Sequence, residues 1–116
     1  MNGYLLFIYH EILDRDALVE YWNGLEKALE GQDSEDVISY GRIDRLEGTG
    51  DIEAVHLLRF PSFDAARSFY QSAEFQAIRP LLQKGARFFS AALDGGRWTD
   101  SKDRMPHTIG RTRKAA

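Results

Sequence analysis

Two histidines sit in apolar stretches of strand-like composition: His10 in YLLFIYHEI (residues 4–12) and His56 in IEAVHLLRF (residues 52–60). Imidazole is the side chain best suited to moving a proton near neutrality. Glu11, Glu47, Arg42 and Arg59 fall on the same or neighbouring predicted strands, with Tyr9 and Tyr40 beside them. Together they could supply a base, an orienting phenol and a guanidinium for a substrate oxygen. If the first and third strands are antiparallel neighbours with their centres aligned, Ile8 pairs with His56 and His10 with Ala54, so both imidazoles share a face. Diagonal neighbours on such a face lie about 7–8 Å apart at Cα, close enough to bracket a small ligand. In this arrangement His10 or His56 is the catalytic base and Tyr40 or Arg42 orients the substrate. The same residues also fit two hydrogen-bonded histidines in a partly buried sheet, and a slip of one residue would separate them. Glu47, next to Gly48 at a strand end, suits an acceptor of turn amides or of an arginine better than a base.

Three further residues are candidates for ligand contact. Trp22 and Tyr70 occupy helical positions from which they could overhang a cavity between helices and sheet, although with Phe69 they also fit plain core packing. Arg79, in FQAIRP, could hold a carboxylate or phosphate bidentately or pair with an acidic neighbour. Two strand histidines without a third ligand fall short of the three protein ligands usual for catalytic zinc, so no metal is expected. Spacings of the GxGxxG, GxxxxGK[ST], HExxH and GxSxG types do not occur, which leaves dinucleotide, P-loop, zincin and hydrolase-elbow chemistry unsupported. No cofactor is expected.

The elements that must position these side chains are well punctuated. Residues 4–12 form a strand, and Leu18, Tyr21, Trp22, Leu25, Ala28 and Leu29 recur at helical spacing, with Asp14 as N-cap and Gly31 after the last turn. After the polar turn GQDSED, strands at 37–46 and 52–60 flank EGTGD as a hairpin. In FPSFDAARSFYQSAEF (residues 60–75), Pro61 stops the strand, Ser62 caps one helix and Ser72 caps a second piece, which Pro80 bends or interrupts and Gly85 closes. Residues 86–95 form the last strand. The order β-α-β-β-α-β is ferredoxin-like, an α+β fold with a four-stranded antiparallel sheet and its helices on one face. Both sheet faces are nonetheless apolar: Leu5, Phe7 and Tyr9 oppose Leu6, Ile8 and Ile12, and Phe88 and Ala92 oppose Phe89, Ala91 and Leu93. A second copy packed sheet to sheet is the simplest cover.

The 116 residues suit one domain, and the absence of cysteine excludes disulfides and thiolate chemistry and fits a reducing, cytoplasmic setting. The apolar opening is too short for a bilayer span and has no basic start, so neither a membrane nor a signal peptide is expected. Residues 1–96 hold nine Lys/Arg against sixteen Asp/Glu, a net −7, whereas residues 97–116 hold six against two, a net +4. An acidic body argues against nucleic acid as partner. The basic tail, 97–116, is expected to be flexible or docked on the partner subunit, with Trp98 as its one large aromatic.

Asp14 and Tyr21, Leu46-Glu47-Gly48, and FPSFDAARSFYQSAEF with Arg79 resemble the bacterial family known as domain of unknown function 1330, within the dimeric α/β-barrel superfamily. The similarity runs over roughly residues 3 to 95. Arg59 departs from it, standing where similar sequences often carry an acidic residue. The resemblance implies a ferredoxin-like homodimer and no particular reaction. The function expected is therefore the binding of a small molecule between sheet and helices. Cofactor-free oxygenase- or isomerase-like chemistry on a small aromatic or carbonyl compound, as in some members of the superfamily, and a purely structural assembly module stand beside it.

Overall fold

A computed structural model describes residues 1–96; the expected tail, with Trp98 and His107, lies outside the described residues. The elements run β1 (Gly3–Ile12), α1 (Arg15–Leu29), β2 (Glu35–Ser39), β3 (Ala54–Phe60), α2 (Phe63–Gln71), α3 (Ala73–Gly85) and β4 (Ala86–Asp94). The strands form one antiparallel sheet in the order β2-β3-β1-β4, the ferredoxin-like arrangement, with β1 and β3 at its centre.

Each helix starts where its capping side chain dictates. The Asp14 carboxylate accepts from Ala17 N–H at 3.1 Å, the Ser62 hydroxyl from Ala65 N–H at 3.0 Å, and the Ser72 hydroxyl from Phe75 N–H at 3.2 Å. Ser72 also ends α2, so the second helical region is two helices hinged on one residue. Pro80 does not interrupt α3, which continues to Gly85. Gly31, in the left-handed region at φ 77°, follows α1 as its position requires.

The core lies between the helices and one face of the sheet. Leu5, Phe7 and Tyr9 of β1, Leu58 and Phe60 of β3, Leu18, Tyr21 and Leu25 of α1, Phe69 of α2, and Phe75 and Leu82 of α3 are all buried there. Phe75 is its aromatic hub, in contact with the rings of Phe7, Tyr21, Phe69 and Tyr70. The opposite face carries Leu6 and Ile8, Val55 and Leu57, and Phe89, Ala91 and Leu93; in the single chain Phe89 is 49 % exposed.

Three details differ from the sequence-based expectation. β1 and β3 pair with Phe7 opposite His56 and Tyr9 opposite Ala54, one residue away from the alignment of strand centres. His56 therefore belongs to the helix-covered face and His10 does not, so the two histidines share no face. A bulge between Tyr9 and Glu11 in the β1–β4 pairing then turns Ile12 inward, where it packs on the core instead of lining up with Leu6 and Ile8. Finally, β2 is Glu35–Ser39 rather than 37–46, because Tyr40 takes φ 61° and ends the strand. Gly48 and Gly50 do have the expected positive φ, but within an irregular connection of residues 40–53 rather than a tight hairpin.

α1 crosses α3 closely at Gly24. A Cβ built there would lie 2.6 Å from Ile78 Cγ2, inside any real contact. Gly24→Ala should therefore lower the melting temperature. Overpacking costs about 1–3 kcal/mol, against the roughly 1 kcal/mol that alanine gains in helix propensity. Thermal unfolding followed by circular dichroism checks this, and a stabilised variant would show that Ile78 yields freely.

Candidate functional site

His56 lies at the middle of β3 and is 4 % exposed, so both ring nitrogens need partners. Both have them. Nε2 lies 2.7 Å from Asp36 Oδ1 on the neighbouring strand β2, and Nδ1 lies 3.0 Å from the Tyr40 hydroxyl. The Tyr40 hydroxyl is also 3.1 Å from that of Tyr9, which accepts from the Trp22 indole N–H at 3.2 Å. Five side chains from β2, β3, β1, α1 and the segment after β2 thus form one hydrogen-bonded chain, Asp36–His56–Tyr40–Tyr9–Trp22.

Proton counting gives the chain a direction. Indole can only donate, so Tyr9 oxygen is an acceptor there, and an ionised Asp36 can only accept, so His56 Nε2 carries a proton. With the imidazole neutral, Nδ1 accepts the Tyr40 proton, and Tyr40 oxygen in turn accepts that of Tyr9. Every donor then points toward His56 from the aromatic side. A second proton on the imidazole, at Nδ1, would reverse the contact with Tyr40.

Tyr40 reaches this position through its backbone. Ser39 pairs with His56, and strict alternation would send the next side chain to the opposite face. The left-handed φ of 61°, uncommon for an aromatic residue, turns the chain so that the phenol lies over His56 with ring centroids 4.7 Å apart. The Trp22 ring sits 5.3 Å from that of Tyr40. Beside them, between α1 and the β2 edge, a cleft of about 250 Å³ opens, lined by Trp22, Glu26, Asp36, Ser39, Tyr40 and His56 among others.

The other residues singled out from sequence lie elsewhere. His10, next to the β1 bulge, holds Asp51 O at 2.9 Å through Nδ1. Arg42 is on the irregular connection, outside the cleft. The Tyr70 hydroxyl meets that of Ser90 at 3.2 Å beside a separate cavity of about 130 Å³ under α2. Arg79 donates to Gln76 Oε1 at 3.3 Å, while its buried Nε has no partner among the described residues. Arg59 pairs with Asp33 at 2.9 Å and Glu35 at 3.4 Å at the outer edge of the sheet. Of the seven candidates the structure brings together three: Trp22, Tyr40 and His56. Tyr9, noted beside the histidines but not singled out as a site residue, and Asp36, which was missed, complete the chain. Tyr9 could have been found because it alternates with Phe7 on the face that receives Trp22; Asp36 was hidden inside a stretch that reads as a turn. Among the described residues no group of three or more His, Asp or Glu is placed to hold a metal, and no helix is long and apolar enough to cross a membrane.

This fold and cleft define an α+β protein of ferredoxin-like class. Residues 2–95 match the family described as Domain of unknown function (DUF1330), and the chain belongs to that family. It is similar in structure to RPA0582, a protein of unknown function from Rhodopseudomonas palustris (14 % identity, 84 % of each chain covered, TM-score 0.62). It also resembles dimeric ferredoxin-like proteins of unknown function from Jannaschia sp. CCS1 (13 % identity, 81 % of this chain and 99 % of that one, TM-score 0.62) and Thermobifida fusca YX (10 %, 81 % and 91 %, TM-score 0.53). No curated protein matches the chain.

Burial raises the pKa of Tyr9, of Tyr21 and of Tyr40 above the ordinary phenol value, and in Tyr40 the neighbouring Tyr9 adds to the effect. A raised pKa means that the folded state keeps its proton while the unfolded chain loses it. The associated stability is therefore complete below about pH 10, the unperturbed value, and is lost as pH climbs above it. A component of the tyrosinate absorbance should accordingly appear only together with the loss of the circular-dichroism signal. Full ionisation at constant circular dichroism would contradict the burial of these phenols.

Proposed function

We propose that the protein is a homodimer that binds a small molecule in the cleft between α1 and the β2–β3 edge. The observation that carries the ligand reading is the chain Asp36–His56–Tyr40–Tyr9–Trp22, which brings a polar, hydrogen-bonded floor to an open cleft. Ligand sites combine apolar walls with a few convergent polar groups, and this is such a combination at small scale. Trp22 and Tyr40 line it, and Asp36 and Ser39 supply polar atoms beside the buried His56. The left-handed Tyr40 is a further pointer, because backbone strain persists where side-chain placement matters.

The dimer reading rests on the outer sheet face. Leu6, Ile8, Val55, Leu57, Phe89 and Leu93 make an apolar surface of a kind that monomers rarely leave uncovered. The description of the Jannaschia and Thermobifida proteins as dimeric supports a second copy as its cover, sheets face to face in a dimeric α/β barrel with the helices outside. Light scattering should give twice the 13.2 kDa chain mass at micromolar concentration. Phe89→Asp should shift the protein to the monomer, whereas a monomeric wild type would end this model.

The direction of the chain favours a second reading, proton transfer. Tyr40 can pass its proton to His56 Nδ1 while taking one from a bound C–H or O–H, leaving an imidazolium stabilised by Asp36. One experiment addresses both readings. In the Trp98→Phe variant, Trp22 is the sole tryptophan, and its indole NMR signal reports on a screen of small aromatic and carbonyl compounds. Binding should move that signal. If proton transfer also operates, a bound ligand with an acidic C–H should exchange it with deuterated water, and Tyr40→Phe and His56→Gln should abolish the exchange without abolishing binding. A Trp22 signal that no compound moves counts against the cleft.

A further inference from the structure

Taking the cleft between α1 and the β2–β3 edge as the ligand site, we propose that its ligand is a small organic cation, an ammonium carried on a single ring or short apolar body. Two of the lining side chains, Glu26 and Asp36, are carboxylates, and no Lys or Arg lines the cleft. Asp36 is the better placed of the two. Its side chain is 56 % exposed, and only Oδ1 is engaged, by His56 Nε2, so Oδ2 has no partner among the described residues.

The nearby cations are committed or lie elsewhere. Arg59 is held by Asp33 and Glu35, and Lys27 lines not the cleft but an adjoining depression that shares Asn23 and Glu26 with it. An entering carboxylate or phosphate would therefore meet two like charges and no cation to offset its lost hydration. An ammonium finds the reverse. Trp22 and Tyr40, packed on each other with centroids 5.3 Å apart, both line the cleft, and whatever ring surface they leave open to it attracts a cation. A carboxylate beside aromatic faces is the pairing that recognises an ammonium carried on an apolar body. The volume of about 250 Å³ is ample for one ring. The wider field points the same way, since residues 1–96 hold nine Lys/Arg against sixteen Asp/Glu and draw cations toward the domain.

Three probes that share one ring test this on the full-length chain: benzylammonium, benzyl alcohol and benzoate, each titrated against the Trp22 indole signal in the Trp98→Phe variant at neutral pH. Benzylammonium should bind at least tenfold more tightly than either of the others. Asp36→Asn keeps an acceptor for His56 but not the charge and should cut that margin at least threefold. Glu26→Gln, on the exposed side of α1, should narrow it too and serves if the Asp36 variant fails to fold. Benzyl alcohol or benzoate binding as tightly as benzylammonium overturns the cation assignment while leaving the cleft as a ligand site. A margin unchanged in every variant that folds overturns it as well. Silence from all three probes removes both the assignment and the cleft reading.

Discussion

The pairing of Phe7 with His56 across the two central strands sets the face of nearly every other side chain in the sheet. β1 bonds to β3 on one side and to β4 on the other, so its register passes to both neighbours. Because side chains alternate with a period of two, a shift of one residue would exchange the core face for the outer one along the whole strand. Large side chains hold the register. Phe7 and Tyr9 are wholly buried beneath α1 and α3, and moving them outward would forfeit about 1.5–3 kcal/mol of burial for each. His56 is carried into the core by this choice. It does not enter because imidazole favours the interior.

Once inside, the histidine dictates its surroundings. An unpaired buried polar atom costs about 1–3 kcal/mol, and imidazole has two. One is met by Asp36, available because β2 is the edge strand and its second residue faces inward beside β3. The other is met by Tyr40, whose phenol brings a polar atom of its own that Tyr9 and Trp22 then satisfy. The polar chain is thus the consequence of a single buried ring propagated outward until it reaches solvent at the cleft. The cleft lies at the sheet edge because that is where the chain of obligations ends.

Which parts of this were legible in the sequence follows from the range of the interactions. Caps act within one turn, so Asp14, Ser62 and Ser72 announced the helices, and apolar period announced both faces of the sheet. The family-like segment FPSFDAARSFYQSAEF encodes such local matters: a strand stop, two caps, and the rings of Phe69 and Phe75 for the core. Register is not local. Aligning strand centres misplaced it by one residue and put His10 beside His56, when the packing of Phe7 and Tyr9 decides otherwise. The end of β2 was hidden for a similar reason. VISYGRIDRL has strand composition throughout, and only the left-handed turn at Tyr40, forced by tertiary contacts, cuts it at Ser39. Asp36 was lost with it, because a strand thought to begin at 37 leaves that carboxylate in a turn.

Those tertiary contacts divide the labour of the sheet between its faces. The inner face carries His56, with both of its ring nitrogens paired; the outer face, with Val55 and Leu57 on either side of that histidine along β3, is apolar and uncovered in the single chain. Any partner that covers the outer face therefore packs directly behind the strand that carries the cleft's histidine. Such support would stiffen β3 and, through Asp36 and the Tyr40 backbone bond to Val55 O at 2.9 Å, the edge that shapes the cleft. The apolar outer face and the cleft are joined through a single strand, with alternate residues of β3 turned to each.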